Sequence, residues 1–250
     1  MTLAPLARRG PVAVITLDRP RANAFDPALV RDLSDALDGA SDAGAIVFAS
    51  SSPGIFSAGW DLTYLLGLDR EAFEEFVESY GALVRRVFDY PKPVVAAISG
   101  HAIAGGLIFA AAADERLAAE GRGELGLSEV VLGVPVPRNL LELFRYAIGA
   151  RAAERLAATG ENWDVERALA AGLVDRVVLP DRLLDEAVAR GEFLAGRSPN
   201  PYWDIKRASR APALERYDAA AFGDPFFDRW FTEDAQSRVR ALVAKLTRKS

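Results

Sequence analysis

Two short glycine-containing segments carry residue types that suit the binding of a developing negative charge. Residues 56–61 (FSAGWD) and 100–106 (GHAIAGG) each follow a strand-like stretch and run toward a predicted helix. Small side chains let the backbone approach a ligand, and the first amides of a helix lack acceptors within it. The Gly105 amide is therefore well placed to bind an anion, and if the Trp60 amide faces it, the pair would form an oxyanion hole, in which one donor is typically worth about 100- to 1000-fold in rate. Tight strand-to-helix packing is the alternative interpretation of each segment taken singly.

The composition argues against several other kinds of chemistry. The 250-residue chain has no cysteine and one histidine, which leaves no disulfide, no thiolate metal site and little to bind zinc or iron. Its formal net charge of -5 disfavours nucleic acid as a partner, because no local basic patch offsets it. The N-terminal residues lack the basic-then-apolar order of a secretory signal, so we expect a cytoplasmic protein.

One uncharged stretch, residues 94–113, is about long enough to cross a bilayer. It begins with β-branched residues, continues through Ser99, Gly100 and His101, and ends with Gly105, Gly106 and a run of small and apolar residues. This order predicts a buried strand, a tight turn and a buried helix, and not a membrane span.

The remaining pattern predicts an α/β fold, in which strands alternate with helices that cover them. Strands are predicted at residues 12–17, 46–49, 94–98, 116–119 and 173–178. Helices are predicted at residues 27–39, 71–88, 138–148, 151–158 and 165–171. Asp26 and Asp164 provide N-caps for two of these helices, and from residue 180 onward the chain is predicted to be nearly all helical.

A helical C-terminal region is predicted to begin after a break at residues 198–201 (SPNP), which divides the chain into a core of residues 1–197 and an appendage of residues 198–250. The appendage contains a cluster of aromatic residues: Phe222, Phe226, Phe227, Trp230 and Phe231. An apolar stripe follows at helical spacing: Ala235, Val239, Leu242, Val243 and Leu246. Both require burial, either against the chain's own body or at a subunit interface.

Several motifs, taken together, resemble the enoyl-CoA hydratase/isomerase (crotonase) family. They are the two glycine segments, Arg19-Pro20 with Asn23-Ala24, residues 126–135 (GLSEVVLGVP) and residues 168–178 (ALAAGLVDRVV). The matches cover most of the chain in the order of the family. The resemblance implies a spiral of ββα units with a helical C-terminal trimerisation region, assembled as a homotrimer or homohexamer.

The same resemblance implies that the substrate is a coenzyme A thioester, with no separate cofactor and no metal. The thioester oxygen would lie between the amides of Trp60 and Gly105, and the adenosine end near residues 21–24. An acyl group carried by a carrier protein is also compatible with this arrangement. The implied substrate-binding residues are Arg21, Ala22, Ala24, Ala58, Asp61, Leu62, Ile108 and Pro135.

The carboxylates present decide which reaction the resemblance favours. Family members that hydrate 2-enoyl-CoA usually hold water between two glutamates; here the second is Glu129, while the first position is Ile108. An apolar first position with one glutamate is similar to the Δ3,Δ2-enoyl-CoA isomerases, which use the glutamate to shuttle a proton. A hydratase, lyase or decarboxylase with a single glutamate and a non-catalytic acyl-CoA binding module remain as alternatives. Without the resemblance, Glu129 would be interpreted as a surface residue at a helix start.

Four further expectations concern individual side chains. Apolar neighbours at positions 108, 127, 130 and 132 would raise the pKa of Glu129 toward neutrality. Asp61 is expected to be an N-cap. The Trp60 ring would either narrow the acyl channel or simply pack. Basic residues at positions 206, 207 and 210 would either meet coenzyme A phosphates or form a solvated helix face.

Overall fold

The computed structural model describes residues 2–121, 123–220 and 225–248. Ten strands lie in these ranges: β1 Leu6–Arg9, β2 Val12–Leu17, β3 Ala45–Ser50, β4 Ile55–Ser57, β5 Val94–Ile98, β6 His101–Ile103, β7 Glu115–Ala119, β8 Leu125–Gly126, β9 Asn162–Trp163 and β10 Arg176–Val178. The strand predicted at residues 173–178 is therefore shorter than expected, because residues 173–175 precede the ladder with β7.

Ten helices accompany the strands: α1 Pro27–Gly39, α2 Leu62–Leu65, α3 Arg70–Phe88, α4 Gly105–Ala111, α5 Arg138–Thr159, α6 Val165–Ala170, α7 Leu183–Ala195, α8 Pro199–Ala219, α9 Pro225–Trp230 and α10 Glu233–Thr247. Two short 3-10 helices span Glu129–Leu132 and Pro180–Arg182. The two helices predicted between residues 138 and 158 are the halves of α5, which kinks at Gly149 where φ is +79°. Within the described ranges, no helix is long and apolar enough to cross a membrane.

The strands form two sheets that are linked by a repeating ββα unit. The larger sheet has the order β1-β2-β3-β5-β7-β10 and the smaller one β4-β6-β8-β9. The consecutive strand pairs β3–β4, β5–β6 and β7–β8 each contribute one strand to each sheet before the chain enters a helix. The predicted α/β spiral of ββα units is therefore confirmed.

Both faces of the inner strands β2, β3 and β5 of the larger sheet are buried, which explains why these strands are almost entirely apolar, whereas the edge strand β1 is exposed. Along β2, Ala13 and Ile15 face the main core, while Val12 and Val14 pack on the opposite face beneath α7. Strand β3 alternates in the same way. Because successive side chains point to opposite faces of a strand, both sets find apolar contacts.

Helix starts follow the predicted caps. The side chain of Asp26 accepts a hydrogen bond from the Leu29 amide at 2.9 Å, and that of Asp164 accepts one from the Arg167 amide at 2.7 Å. These bonds satisfy amides that a helix start otherwise leaves without acceptors.

The C-terminal helices α9 and α10 pack against the chain's own body. Phe226 and Trp230 are buried, and their rings stack on Phe73 of α3 with centroids 5.8 and 4.6 Å away. Ala235 and Val239 on α10 are also fully buried. Most of the predicted aromatic cluster thus has its partners within one chain, whereas Phe222 lies outside the described residues.

The basic residues of α8 differ from both expectations. Lys206 and Arg210 are buried, and each forms an ion pair with Asp114, at 2.9 and 2.7 Å respectively. These two side chains therefore neither form a solvated face nor are accessible to coenzyme A phosphates. Of the three basic residues, only Arg207 is exposed. The reason lies in the tertiary structure, because α8 crosses the end of the larger sheet where Asp114 precedes β7. The break at residue 198 coincides with the start of α8, while the division into two units at that point stays a prediction.

Candidate active site

A cavity of about 560 Å³ lies between the two glycine turns, the 3-10 helix that begins at Glu129, and helices α9 and α10. It brings together most of the residues that the sequence singled out: Arg21, Ala22, Ala24, Ala58, Trp60, Asp61, Leu62, Gly105 and Glu129. These residues come from four separate parts of the chain, so the fold is what assembles them.

Two predicted binding residues, Ile108 and Pro135, do not line the cavity. Ile108 is almost fully buried in the main core, because α4 is buried along its whole length and reaches the cavity only at its start, through Ala104 and Gly105. Val134 lines the cavity in place of its neighbour Pro135. The chain is irregular there, so the sequence contained no periodic signal for the residue that faces inward.

In the first glycine turn, the amides on either side of Trp60 are hydrogen-bonded, whereas within the described ranges the Trp60 amide is not. The amide of Ala58 donates to the Ala22 carbonyl at 3.0 Å, and that of Asp61 donates to the Phe25 carbonyl at 2.8 Å. The Phe25 amide in turn donates to the Gly59 carbonyl at 2.7 Å. The Trp60 amide lies between these bonds and makes none to the described residues.

The second glycine turn places the Gly105 amide at the start of α4. Ala104, which precedes it, has φ +49° and ψ -122°, a conformation that a residue with a side chain seldom adopts. Its amide donates to the Gly126 carbonyl at 2.8 Å, and its carbonyl accepts from the Ile108 amide at 2.9 Å. The strained residue is therefore fixed on both sides, and the Gly105 amide is left without a partner among the described residues.

The two unpaired amides lie close to each other. Gly59, the residue before Trp60, has φ +93°, and a Cβ built on it would come within 3.2 Å of the Gly105 nitrogen and 2.8 Å of the Ile103 carbonyl oxygen. Only glycine permits this approach. Two unpaired amides that border one cavity are the arrangement required to hold an oxyanion.

The Trp60 ring both packs and lines the cavity, so neither expectation for it excludes the other. A Cβ built on Gly105 would lie 2.6 Å from Trp60 Cδ1, and the indole contacts Phe226 of α9 edge-on with centroids 5.8 Å apart. The ring therefore joins the second glycine turn to the C-terminal helices, and it takes up space beside the unpaired amides.

Glu129 is buried, with 8% of its surface exposed, and lines the same cavity. Burial raises its pKa from 4.5 to about 7, because little surrounds the carboxyl that stabilises its charge. Its Oε2 atom has no hydrogen-bond partner among the described residues. The expected apolar setting is only partly present: Leu127 is buried and Leu132 lines the cavity, whereas Val130 points outward and is 42% exposed.

Asp61 is engaged in structural interactions, as expected of an N-cap. Its side chain accepts a hydrogen bond from the Tyr64 amide at 3.1 Å at the start of α2. Arg19 Nη2 bridges Asp61 and Asp26, at 2.7 Å from each carboxylate. Burial alone would raise the pKa of Asp61, but these hydrogen bonds and the Arg19 charge outweigh it and lower the pKa. The bridge ties the loop at residues 19–26 to the first glycine turn.

The sequence did not assign the opposite wall of the cavity. It is made by side chains of the C-terminal helices: Phe226, Trp230, Leu242, Val243, Leu246 and Thr247. The apolar stripe of α10 was a signal that could have suggested this role. Within the described ranges, no group of three or more His, Cys, Asp or Glu side chains is placed to hold a metal ion.

The site thus combines two unpaired amides with one buried carboxyl whose pKa is near neutrality. The amides can stabilise negative charge on a carbonyl oxygen, and the carboxyl can take up and release a proton near pH 7. The two functions together suit chemistry that passes through an enolate.

Comparison of the sequence with known proteins points to the same kind of chemistry. The family model described as enoyl-CoA hydratase/isomerase matches residues 7–234. A probable enoyl-CoA hydratase of Rhizobium meliloti is 36% identical over an alignment 247 residues long, which covers 95% of this chain and 93% of that protein. A carnitinyl-CoA dehydratase of Salmonella enteritidis is 36% identical over 211 residues, covering 82% of this chain and 79% of the relative.

Solved structures show the same likeness. A protein of Mycobacterium tuberculosis, described in one structure as an enoyl-CoA isomerase and in another as a probable enoyl-CoA hydratase, superposes in the first with a TM-score of 0.83 at 31% identity, covering 88% of this chain and 96% of that one. The human mitochondrial Δ3,Δ2-enoyl-CoA isomerase shares the fold over 100% of both chains, with a TM-score of 0.92 at 24% identity. From the family match and these relatives, the chain belongs to the enoyl-CoA hydratase/isomerase family, whose members are enzymes.

Proposed function

We propose that the chain is an enoyl-CoA isomerase that converts a 3-enoyl-CoA to a 2-enoyl-CoA. The observation that carries the proposal is a cavity with two unpaired amides and, among its described lining residues, one carboxyl that no cation neutralises. A double-bond shift needs one group that removes a proton and returns it elsewhere, and Glu129 supplies that group.

The proposed reaction balances without a metal, an oxidant or a separate cofactor. The Glu129 carboxylate takes a proton from C2, and the electrons of the broken C–H bond move onto the thioester oxygen held by the amides of Trp60 and Gly105. The enolate then collapses as C4 takes the same proton from the Glu129 carboxyl group. The double bond between C3 and C4 thereby moves to C2 and C3, and coenzyme A leaves as part of the product.

The pKa of Glu129 supports its use in both directions. At about 7, the carboxyl is ionised often enough to accept a proton and acidic enough to return it. A pKa near 4.5 would favour the ionised form but would make proton removal from carbon harder. The apolar cavity and the burial of Glu129 therefore suit a group that both takes and returns a proton.

Hydration with a single glutamate is the second candidate, favoured by the names of the relatives in Rhizobium meliloti and Salmonella enteritidis. One observation argues against hydration. In the two-glutamate pattern the first glutamate would occupy position 108, and here that position is the core residue Ile108. An isoleucine can neither orient nor deprotonate water. We therefore place hydration, and equally lyase or decarboxylase activity, behind isomerisation.

One experiment separates these reactions. The protein is mixed with 3-enoyl-CoA thioesters of short, medium and long chain, and separately with 2-enoyl-CoA, in water enriched in a heavy oxygen isotope. The two enoyl isomers, which have equal mass, are separated by liquid chromatography and distinguished by the absorbance of the conjugated thioester, and mass spectrometry detects the heavy oxygen. An isomerase yields 2-enoyl-CoA without the heavy oxygen. Heavy 3-hydroxyacyl-CoA as the main product would instead establish a hydratase, and binding without turnover across the series would establish a binding module.

Two variants complete the test. We expect Glu129→Gln to lower turnover of 3-enoyl-CoA by roughly 100-fold or more, the usual weight of a general base. Glu78→Gln removes an exposed carboxylate on α3 in the same way and should leave the rate unchanged. Equal rates for wild type and the Glu129 variant would refute the proposed role.

We also propose that the protein acts in the cytoplasm as a homotrimer or homohexamer. Large apolar side chains exposed on the isolated chain, among them Val131, Phe193 and Ile205, support contacts between copies. Sedimentation of the purified protein tests the assembly, and a monomer at micromolar concentration would contradict it.

A further inference from the structure

Tyr80 lies at the point where the two halves of the oxyanion hole meet. It is on α3, is completely buried, and donates a hydrogen bond from its hydroxyl group to the Gly105 carbonyl oxygen. Its ring meets the Trp60 indole edge-on, with centroids 5.3 Å apart. One side chain therefore touches both residues whose amides border the cavity.

The surroundings of Gly105 explain why it needs support from outside its own helix. A Cβ built on Gly105 would lie 2.8 Å from Trp60 Nε1 and 3.4 Å from the Tyr80 hydroxyl oxygen, so the two side chains press on its Cα from the same region. Glycine has more backbone freedom than other residues, and the strained Ala104 precedes it. The peptide that carries the Gly105 amide is held at the Ala104 carbonyl from within α4. Without contacts on Gly105 itself, rotation about the bonds of its Cα could still turn the amide away from the cavity.

We propose that Tyr80, together with the Trp60 ring packed against it, is a positioning residue: it holds Gly105 by its carbonyl oxygen and at its Cα, and so keeps the amide on the other side of that Cα in the orientation required to bind the thioester oxygen. Tyr80 does not line the cavity, so it acts through Gly105 and not on the substrate. Burial keeps its hydroxyl protonated, since its pKa lies well above the ordinary value, and the hydroxyl is therefore a hydrogen-bond donor at every working pH.

The inference rests on the proposed thioester chemistry but can be tested without turnover. A saturated acyl-CoA with an isotopically labelled carbonyl binds the same amides and cannot isomerise. The infrared stretching frequency of this carbonyl falls when two amides donate to it, so it reports the geometry of the oxyanion hole directly. A failure of the isomerase assay would leave this measurement intact for any thioester reaction in the same cavity.

A matched control on α8 bonds to the helix that carries Tyr80. The Tyr217 hydroxyl donates to the carbonyl of Gly81, the residue after Tyr80, at 2.8 Å, and Tyr217 is also buried but does not line the cavity. Tyr80→Phe and Tyr217→Phe thus each remove one buried hydroxyl and one bond to a glycine carbonyl, but only the first bond reaches the oxyanion hole.

We expect Tyr80→Phe to lower kcat by about 10- to 100-fold with little change in KM, since a small displacement of a catalytic donor has effects of this size. The bound carbonyl frequency should move toward that of the free thioester. Tyr217→Phe should leave both readouts within about twofold of wild type, the scale on which a remote change of the same chemistry acts.

Trp60→Phe provides a second variant should Tyr80→Phe not fold, because it retains the Trp60 backbone amide and removes the indole edge from Gly105. It too should shift the carbonyl frequency toward the free value. An unchanged frequency and unchanged kcat in either variant, or equal losses in Tyr80→Phe and Tyr217→Phe, would overturn the proposal.

Discussion

The buried carboxyl of Glu129 should destabilise the fold at the pH at which it is most useful for catalysis. Its pKa rises from 4.5 to about 7 on folding, because burial removes water from the charged form. At 1.36 kcal/mol for each pKa unit, the ionised carboxylate costs roughly 3 kcal/mol of folding free energy. Glutamine has the same shape without the charge, so Glu129→Gln should raise the free energy of unfolding by about this amount above pH 7.

The direction of the pH dependence follows from proton counting. Between about pH 4.5 and pH 7, the folded chain keeps a proton on Glu129 that the unfolded chain has lost. Stability of the wild type must therefore decrease as the pH rises through this window, and it stays lower above it. Below the window both states are protonated, and the difference between wild type and Glu129→Gln should vanish.

Urea unfolding at several pH values, with all proteins at one protomer concentration, measures this difference directly. Glu78→Gln serves as the exposed control and should follow the wild type at every pH. The catalytic profile provides a second measurement, because the carboxylate is the base: kcat/KM of the wild type should rise with pH to a plateau, with a midpoint near 7. Stability curves that stay parallel, or a catalytic midpoint near 4.5, would show that the carboxyl is hydrated in solution and would refute the reasoning.

Three further predictions concern the surroundings of the site. Gly105→Ala places a Cβ 2.6 Å from Trp60 Cδ1 and should lower kcat/KM by about 100-fold in a steady-state assay while the protein still folds. Asp61→Asn keeps the helix cap but loses half of the Arg19 bridge, and calorimetric titration with saturated acyl-CoA should show weaker binding; unchanged affinity would argue against a role for the tethered loop. Lys206→Met should lower the free energy of unfolding by roughly 1–3 kcal/mol in urea, with kcat unchanged, because it removes a buried charge-assisted hydrogen bond.

Local signals in the sequence were sufficient to predict most strands of the larger sheet, the main helices and the glycine turns, but none of the short strands of the smaller sheet. Apolar strands with both faces buried, an Asp at a helix start and glycines at turns each act within a few residues, so their spacing identifies them. The positions of Trp60 and Gly105 beside one cavity agree with this local pattern, since glycine at position 59 is required by both φ and the approach to Gly105.

The contacts that the sequence did not predict depend on tertiary structure or on an unusual helix. Glu129 starts a 3-10 helix, in which side chains three residues apart share a face. Leu132 therefore joins Glu129 in the cavity while Val130 points to solvent, although positions 130 and 132 looked alike as apolar neighbours of Glu129. Likewise, the stripe of α10 showed that one face must be buried but not which surface covers it.

Unfavourable local features concentrate around this one cavity, which argues that its shape is functional. Arg21, Ala22, Asn23 and Ala104 have positive φ, and Glu129 is buried without a partner for one oxygen; each costs on the order of 1–3 kcal/mol. All of them except Asn23, the residue after Ala22, line the cavity. In a surface groove formed by chance, we would not expect several energetically unfavourable conformations to occur together. A site that must direct two amides and one titrating carboxyl group toward a thioester requires each of these unfavourable features. Relaxing a strained backbone angle would turn an amide donor away, and exposing Glu129 would hydrate the catalytic base.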